Sequence, residues 1–131
     1  MNLLLDTHVW LWSLLAPENL VPRVVAALGN PANEIWLSPI STWELMVLSA
    51  KGRISLNEPV DSWVTKAFAA APLKEASLTH AVAFETRAIK LPHRDPADYF
   101  IVATARVFGL TLVTADRRLI RSRAVPILAN R

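Results

Sequence analysis

Cysteine is absent from the 131 residues, which removes disulfide frameworks, thiol nucleophiles and cysteine-ligated zinc together. Glycine occurs only at positions 29, 52 and 109, so neither a phosphate-binding Walker loop nor a dinucleotide GxGxxG pattern can be written anywhere in the chain. The three histidines, His8, His80 and His93, follow no metal-ligand spacing. No apolar run approaches the roughly 18 residues of a membrane span. No basic stretch precedes the apolar residues at the N-terminus, so a secretory leader is not expected. These absences disfavour nucleotide-cofactor enzymes and lead to the expectation of a soluble, cytoplasmic protein.

What is present is apolar: 53% of residues are hydrophobic and 19% charged, ample for a packed core and incompatible with disorder. At this length one domain over residues 1–131 is expected. The formal charge is +3, yet Arg117, Arg118, Arg121, Arg123 and Arg131 crowd the C-terminal end, and His93 and Arg94 precede an acidic motif. Such a basic rim suits a polyanionic substrate, although a solvated basic tail is the plainer reading.

Hydrophobic periodicity and the Pro and Gly punctuation predict strands at about 2–6, 34–38, 73–76, 110–114 and 125–128. Helices are predicted at about 8–15, 18–28, 39–51, 59–71, 78–89 and 96–108, with a helical turn near 117–121. Short strands separated by helices describe an α/β chain with a mainly parallel sheet and right-handed crossovers.

Acidic residues recur at the ends of these segments. Asp6 ends the apolar run Leu3-Leu4-Leu5, and Asp116 follows Leu112-Val113-Thr114-Ala115. In an open parallel sheet, the carboxyl ends of strands are where ligands bind. Ser38-Pro39 reads as a helix cap followed by Pro at the first helical position. On that helix Glu44 shares a face with Ile40, Val47 and Leu48 and should point inward. In Asp95-Pro96-Ala97-Asp98 the first Asp fits an N-cap, and the second lies on the side of Ile101, Val102 and Ala105. Most of these acids also have a structural reading: Asp95 and Asp116 as caps, Asp98 as a charge favoured by the dipole at a helix start, and Glu44 as the buried partner of a basic group. Were the strands before Asp6 and Asp116 neighbours, the acids would converge. Close carboxylates then require a counter-charge, for which Mg²⁺ or Mn²⁺ is the natural hard cation. Such a cation suits phosphodiester hydrolysis without a His or Cys nucleophile.

In order along the chain, Leu4-Leu5-Asp6-Thr7-His8, Ser38-Pro39-Ile40-Ser41 through Trp43-Glu44, Asp95-Pro96-Ala97-Asp98 with Ile101 to Ala105, and Val113-Thr114-Ala115-Asp116 resemble the PIN domain and, within it, the VapC-type toxins of bacterial toxin–antitoxin pairs. The likeness covers essentially the whole chain. It implies a three-layer α/β/α sandwich with a central parallel sheet and an Mg²⁺-dependent ribonuclease site, with Mn²⁺ as a possible substitute. It also implies a homodimer and a cognate antitoxin protein. Carried over residue by residue, the family's acidic quartet falls on Asp6, Glu44, Asp98 and Asp116, with Asp95 as a further possible metal ligand. Tyr99 and Phe100 depart from the Arg and Leu common after Asp98. The substrate implied is a single-stranded loop of structured RNA. The alternatives are a PIN-like module that binds RNA or protein without catalysis, and an Mg²⁺-dependent phosphatase, which would ordinarily carry a DxD pattern where this chain has Asp6-Thr7-His8.

Of the five tryptophans, Trp10, Trp12, Trp36, Trp43 and Trp63, most are expected in the core. Trp10 and Trp12 cannot share one helical face, so at least one of them, on the apolar helix Val9–Leu15, is open to a partner as readily as to the core.

Overall fold

The leucines at positions 3 to 5 stand fully inside the protein, and the rest of the molecule is arranged around them. A computed structural model describes residues 1–131. In it Leu3, Leu4 and Leu5 form β1 (Asn2–Leu5) at the centre of a five-stranded sheet. The other strands are β2 (Glu34–Leu37), β3 (Lys74–Glu75), β4 (Thr111–Thr114) and β5 (Ile127–Ala129). The order is β3-β2-β1-β4-β5 and every pairing is parallel. A parallel sheet must be covered on both faces, so its central strands carry unbroken apolar runs.

The two faces belong to two cores. Leu4 and Leu112 point into one, with Val82 of α5 (His80–Glu85), Ile101 and Val102 of α6 (Pro96–Phe108) and Leu119 of α7 (Arg117–Ser122). Leu3, Leu5 and Val113 point into the other. There they meet Val9 and Trp10 of α1 (Thr7–Leu15), Val24 of α2 (Pro22–Gly29), Leu45 of α3 (Pro39–Ala50) and Val64 of α4 (Val60–Ala70). Successive strand residues alternate faces, and this alternation sorts the leucines between the layers. The result is the expected α/β/α sandwich.

Several boundaries differ from those predicted, for identifiable reasons. The helix expected at 18–28 divides into a 3₁₀ turn at Pro17–Asn19 and α2, because Pro22 lacks an N–H and takes the first helical position. The helix expected at 78–89 ends at Glu85 and continues only as a 3₁₀ turn, Thr86–Ala88. The last strand begins at Ile127 rather than 125, since Pro126 offers only a carbonyl, which Leu112 N–H engages at 2.9 Å. The predicted strand at 73–76 is reduced to two ladder residues at the sheet edge. Gly109, at φ +67°, ends α6 in the left-handed conformation that a side chain resists.

The order in which strands are added reverses at β1: β2 and β3 lie on one side of it, β4 and β5 on the other. This places the topological switch point at the carboxyl ends of β1 and β4, the position where open α/β sheets form a crevice. No helix is long and apolar enough to cross a membrane.

Candidate active site

The neighbour relation between β1 and β4 brings two of the predicted acids together. Leu5 pairs with Val113 in register, so Asp6 and Asp116 emerge from adjacent strands within a few residues of the same edge. Asp6 caps α1 and accepts from Thr7 N–H at 2.9 Å, while its other oxygen accepts from Thr114 Oγ1 at 2.6 Å. Asp116 caps α7 and accepts from Arg118 N–H at 2.8 Å. The Arg118 guanidinium returns to the same carboxylate at 3.0 and 3.3 Å.

Helices α3 and α6 supply the remaining acids. Glu44 is half-buried, less inward than expected, because Ile40, Val47 and Leu48 on its face are themselves only partly covered. The fully buried positions of α3 are Ser41 and Leu45. Thr7 Oγ1 lies 2.5 Å from Glu44 Oε1 and 2.9 Å from Ser41 Oγ. A hydroxyl has one hydrogen, so Thr7 donates it to the carboxylate and receives one from Ser41. Asp95 caps α6, accepting from Ala97 N–H at 3.0 Å, and stays exposed. Asp98, one turn on, is buried at 7% exposure, and its Oδ2 meets His93 Nε2 at 2.6 Å.

All five predicted acids, Asp6, Glu44, Asp95, Asp98 and Asp116, line one cleft of about 320 Å³, joined by His8, Trp12, Ala115 and Arg118. Their mutual influence follows from this placement. Burial, helped by the charges of Asp6 and Asp95, pushes Asp98 up to about 6 against the lowering hydrogen bond of His93. Burial likewise raises Glu44 above the ordinary carboxylate value, with Asp6, Asp95 and Asp98 adding to the effect. Asp6 is raised by burial despite its bonds from Thr114 and Thr7. Asp116 goes the other way: burial opposes its charge, but Arg118 and the backbone amides of α7 together bring it below the ordinary value.

The donor set is all oxygen and negatively charged, which fits a hard divalent cation better than zinc or copper. As the side chains stand, no three acidic or histidine groups converge closely enough to grip one ion, and most of the acids are tied to a protein donor. The carboxylate oxygens without such a donor are Asp98 Oδ1, Glu44 Oε2 and Asp95 Oδ2.

Sequence reasoning missed the residues that hold the acids. His93 stands five positions before Asp98 and shows no ligand spacing. Thr7, Ser41 and Thr114 are short hydroxyls in apolar surroundings, and their only signal was adjacency to strand ends and a helix start. The tryptophans also depart from expectation. Only Trp10 is fully buried, packed on Trp63 and Phe68. Trp12 faces the acidic cleft beside His8, with ring centres 5.9 Å apart. Trp36 and Trp63 are half-buried and Trp43 is 57% exposed. The helix Val9–Leu15 gives less to a partner than expected, because Val9, Trp10 and Leu11 are core residues.

A model of the PIN domain matches residues 3–124. The chain belongs to the PIN domain family. Ribonuclease VapC22 of Mycobacterium tuberculosis is 38% identical over 121 residues, covering 90% of this chain and 89% of that protein. With this relative, the PIN-domain chain is a nuclease, a hydrolase of the VapC type. The fold agrees with solved toxin–antitoxin complexes. DNA-bound VapBC from Salmonella typhimurium superposes with a TM-score of 0.70 at 18% identity, over 98% of each chain. VapBC2 from Rickettsia felis, bound to a fragment of its promoter, gives 0.69 at 16% identity, also over 98% of each.

Proposed function

We propose that this PIN-domain protein is a divalent-metal-dependent endoribonuclease, the toxin of a VapBC-type pair, cutting single-stranded loops of structured RNA in the cytoplasm. The observation that carries the reading is the gathering of Asp6, Glu44, Asp95, Asp98 and Asp116 around one cleft at the switch point of the sheet. Carboxylates raised by burial and by one another are costly to ionise unless a cation neutralises them. Mg²⁺, with Mn²⁺ as substitute, is the cation we assign.

When bound, the cation activates water and stabilises the oxygen that departs from phosphorus. The protein's part is to hold and to aim. Asp6, Glu44, Asp98 and Asp116 would hold the ion, with Asp95 at the rim; Thr7, Ser41 and Thr114 fix the rotamers of Glu44 and Asp6. Arg118 lines the cleft and Arg117 stands exposed at the start of α7, where guanidinium groups can meet the phosphates of the chain to be cut. Trp12, on the cleft wall, offers an aromatic face to an unstacked base. The phosphatase alternative has less support, because Thr7 and His8 follow Asp6 where a phosphatase with an Asp nucleophile ordinarily carries a second acid.

Partner binding has support of its own. A cleft of about 570 Å³ between α3, α4 and the β3 edge is lined by Trp43, Met46, Phe68 and Leu73. It lies apart from the acidic cleft and suits the apolar face of an amphipathic antitoxin segment. Phe84, 70% exposed on α5, and the nearby Leu78 at 42% offer apolar surface for a homodimer.

Purified protein should cleave a structured RNA with Mg²⁺ present and lose that activity in EDTA, with recovery on adding Mg²⁺ or Mn²⁺. Undiminished cleavage in EDTA rejects the metal assignment. RNA binding with no cleavage under any divalent ion marks the chain as a binding module.

A further inference from the structure

Among the acids of the cleft, Asp98 is held by a side chain to which no role has yet been given. His93 lies in the segment leading into α6, its carbonyl accepting from Tyr99 O–H at 3.2 Å. Its ring turns inward, and His93 Nε2 and Asp98 Oδ2 stand 2.6 Å apart with both side chains 10% exposed. The other ring nitrogen, Nδ1, is buried and meets no hydrogen-bond partner.

These two facts determine where the imidazole proton sits. A proton on Nδ1 would be a buried donor without an acceptor, which costs on the order of 1–3 kcal/mol. It would also set the lone pair of Nε2 against the carboxylate. The proton therefore lies on Nε2 and is donated to Asp98. The orphaned Nδ1 is tolerable because a lone pair is left there rather than an unpaired N–H.

Asp98 is thereby treated differently from its neighbours. Asp6 and Asp116 have both oxygens engaged by protein donors. Asp98 has Oδ2 engaged by His93, and Oδ1 has no protein partner. We propose that His93 is a positioning residue of the nuclease, donating Nε2–H to Asp98 Oδ2 so that Asp98 keeps one rotamer and reserves Oδ1 for the divalent cation. This inference rests on the metal-dependent reading above and extends it to a residue outside the acidic set. Donors that orient metal-binding groups from behind typically matter 10–100-fold in metal affinity.

The test compares wild type with His93→Phe, which keeps a ring but no donor, and His93→Gln, whose side-chain amide can reach the same oxygen. Mn²⁺ binding is followed by electron paramagnetic resonance and cleavage of a structured RNA is followed in parallel. The expected result is that His93→Phe binds Mn²⁺ about 10–100-fold more weakly and cleaves correspondingly less, while His93→Gln recovers most of both. Should His93→Phe bind and cleave like wild type, or His93→Gln be as impaired as His93→Phe, the positioning role is overturned. If His93→Phe fails to fold, the wild type still decides. Nitrogen NMR of its histidine side chains, with His93 assigned by the resonance missing from His93→Gln, should show the proton on Nε2. A proton on Nδ1 overturns the inference. A wild type that binds no Mn²⁺ rejects the metal-dependent reading itself, and this inference with it; the tautomer result separates that failure from the other.

Discussion

Thr114 Oγ1 donates to Asp6 Oδ2 at 2.6 Å across the boundary between β4 and β1. The same oxygen accepts from Asp116 N–H at 3.0 Å. One buried hydroxyl, 0% exposed, thus ties together the two strand ends that carry acids 110 positions apart in sequence. It favours the charge of Asp6 by donation, partly offsetting burial, and fixes the turn into α7 by acceptance.

Thr114→Val keeps the shape and removes both bonds. Asp6 loses the donor that lowers it, and Asp116 N–H loses its acceptor. The variant should be destabilised by about 1–3 kcal/mol in urea unfolding and should cleave RNA more slowly, with Thr114→Ser restoring both. Unchanged cleavage by Thr114→Val would mean that Asp6 needs no brace.

Asp98→Asn removes a charge from the cleft and leaves an oxygen that can still accept from His93. Cleavage should fall by orders of magnitude, since a charge contact to the cation is lost. Without divalent ion the variant should melt at or above the wild type, because mutual repulsion among the acids is relieved. Millimolar Mg²⁺ should raise the wild-type melting temperature more than the variant's, a ligand stabilising only the state that binds it. A variant that melts several degrees lower, with Mg²⁺ shifting neither protein, would mark Asp98 as a structural ion-pair partner.

The pH dependence of stability follows from the same group. Asp98 stands at about 6 in the folded chain against an ordinary 3.8, so between those values the folded state holds a proton that the unfolded state has released. Its contribution is fully present below about 3.8 and is lost as pH rises through about 6. Glu44 and Asp6, also raised, act in the same direction. In the absence of divalent ion, urea unfolding should therefore show lower stability at pH 7.5 than at pH 5, by about 1 kcal/mol from Asp98, the pH 5 point lying about one unit below its folded value. Asp98→Asn should flatten that slope. A slope of opposite sign in both proteins would show that the cleft carboxylates do not govern it.

The acids were legible in the sequence because each occupies a position with a local signature. Asp6 and Asp116 end apolar strands, Asp95 precedes Pro96 as a cap, and Glu44 and Asp98 fall at helical spacing from apolar residues. Their convergence was conditional on β1 and β4 being neighbours, a tertiary fact that no local pattern carries. The bracing contacts were hidden for the same reason. Thr7 reaches Ser41 and Glu44 across more than thirty residues, and His93 reaches Asp98 only because the segment before α6 folds its ring inward. The broken helix at Pro22 was legible in principle: proline at a first helical position is a start signal, and the apolar periodicity around it masked that signal.

Arg118 competes for Asp116. Its guanidinium lies 3.0 Å from Asp116 Oδ2 and, against the effect of burial, keeps that carboxylate below its ordinary value. If Asp116 also holds the cation, the guanidinium and the ion share one carboxylate, and Arg118 has a second use as a phosphate contact. Arg118→Ala should then act in two directions at once: the Mg²⁺ concentration for half-maximal cleavage should fall, because one competing cation is gone, while KM for RNA should rise as a phosphate partner is lost. The rise in KM should shrink at high salt, where phosphate contacts count for less. A higher Mg²⁺ requirement in Arg118→Ala would instead mean that Arg118 holds Asp116 in the pose the ion needs, making the pair a support of the site rather than a rival to the metal.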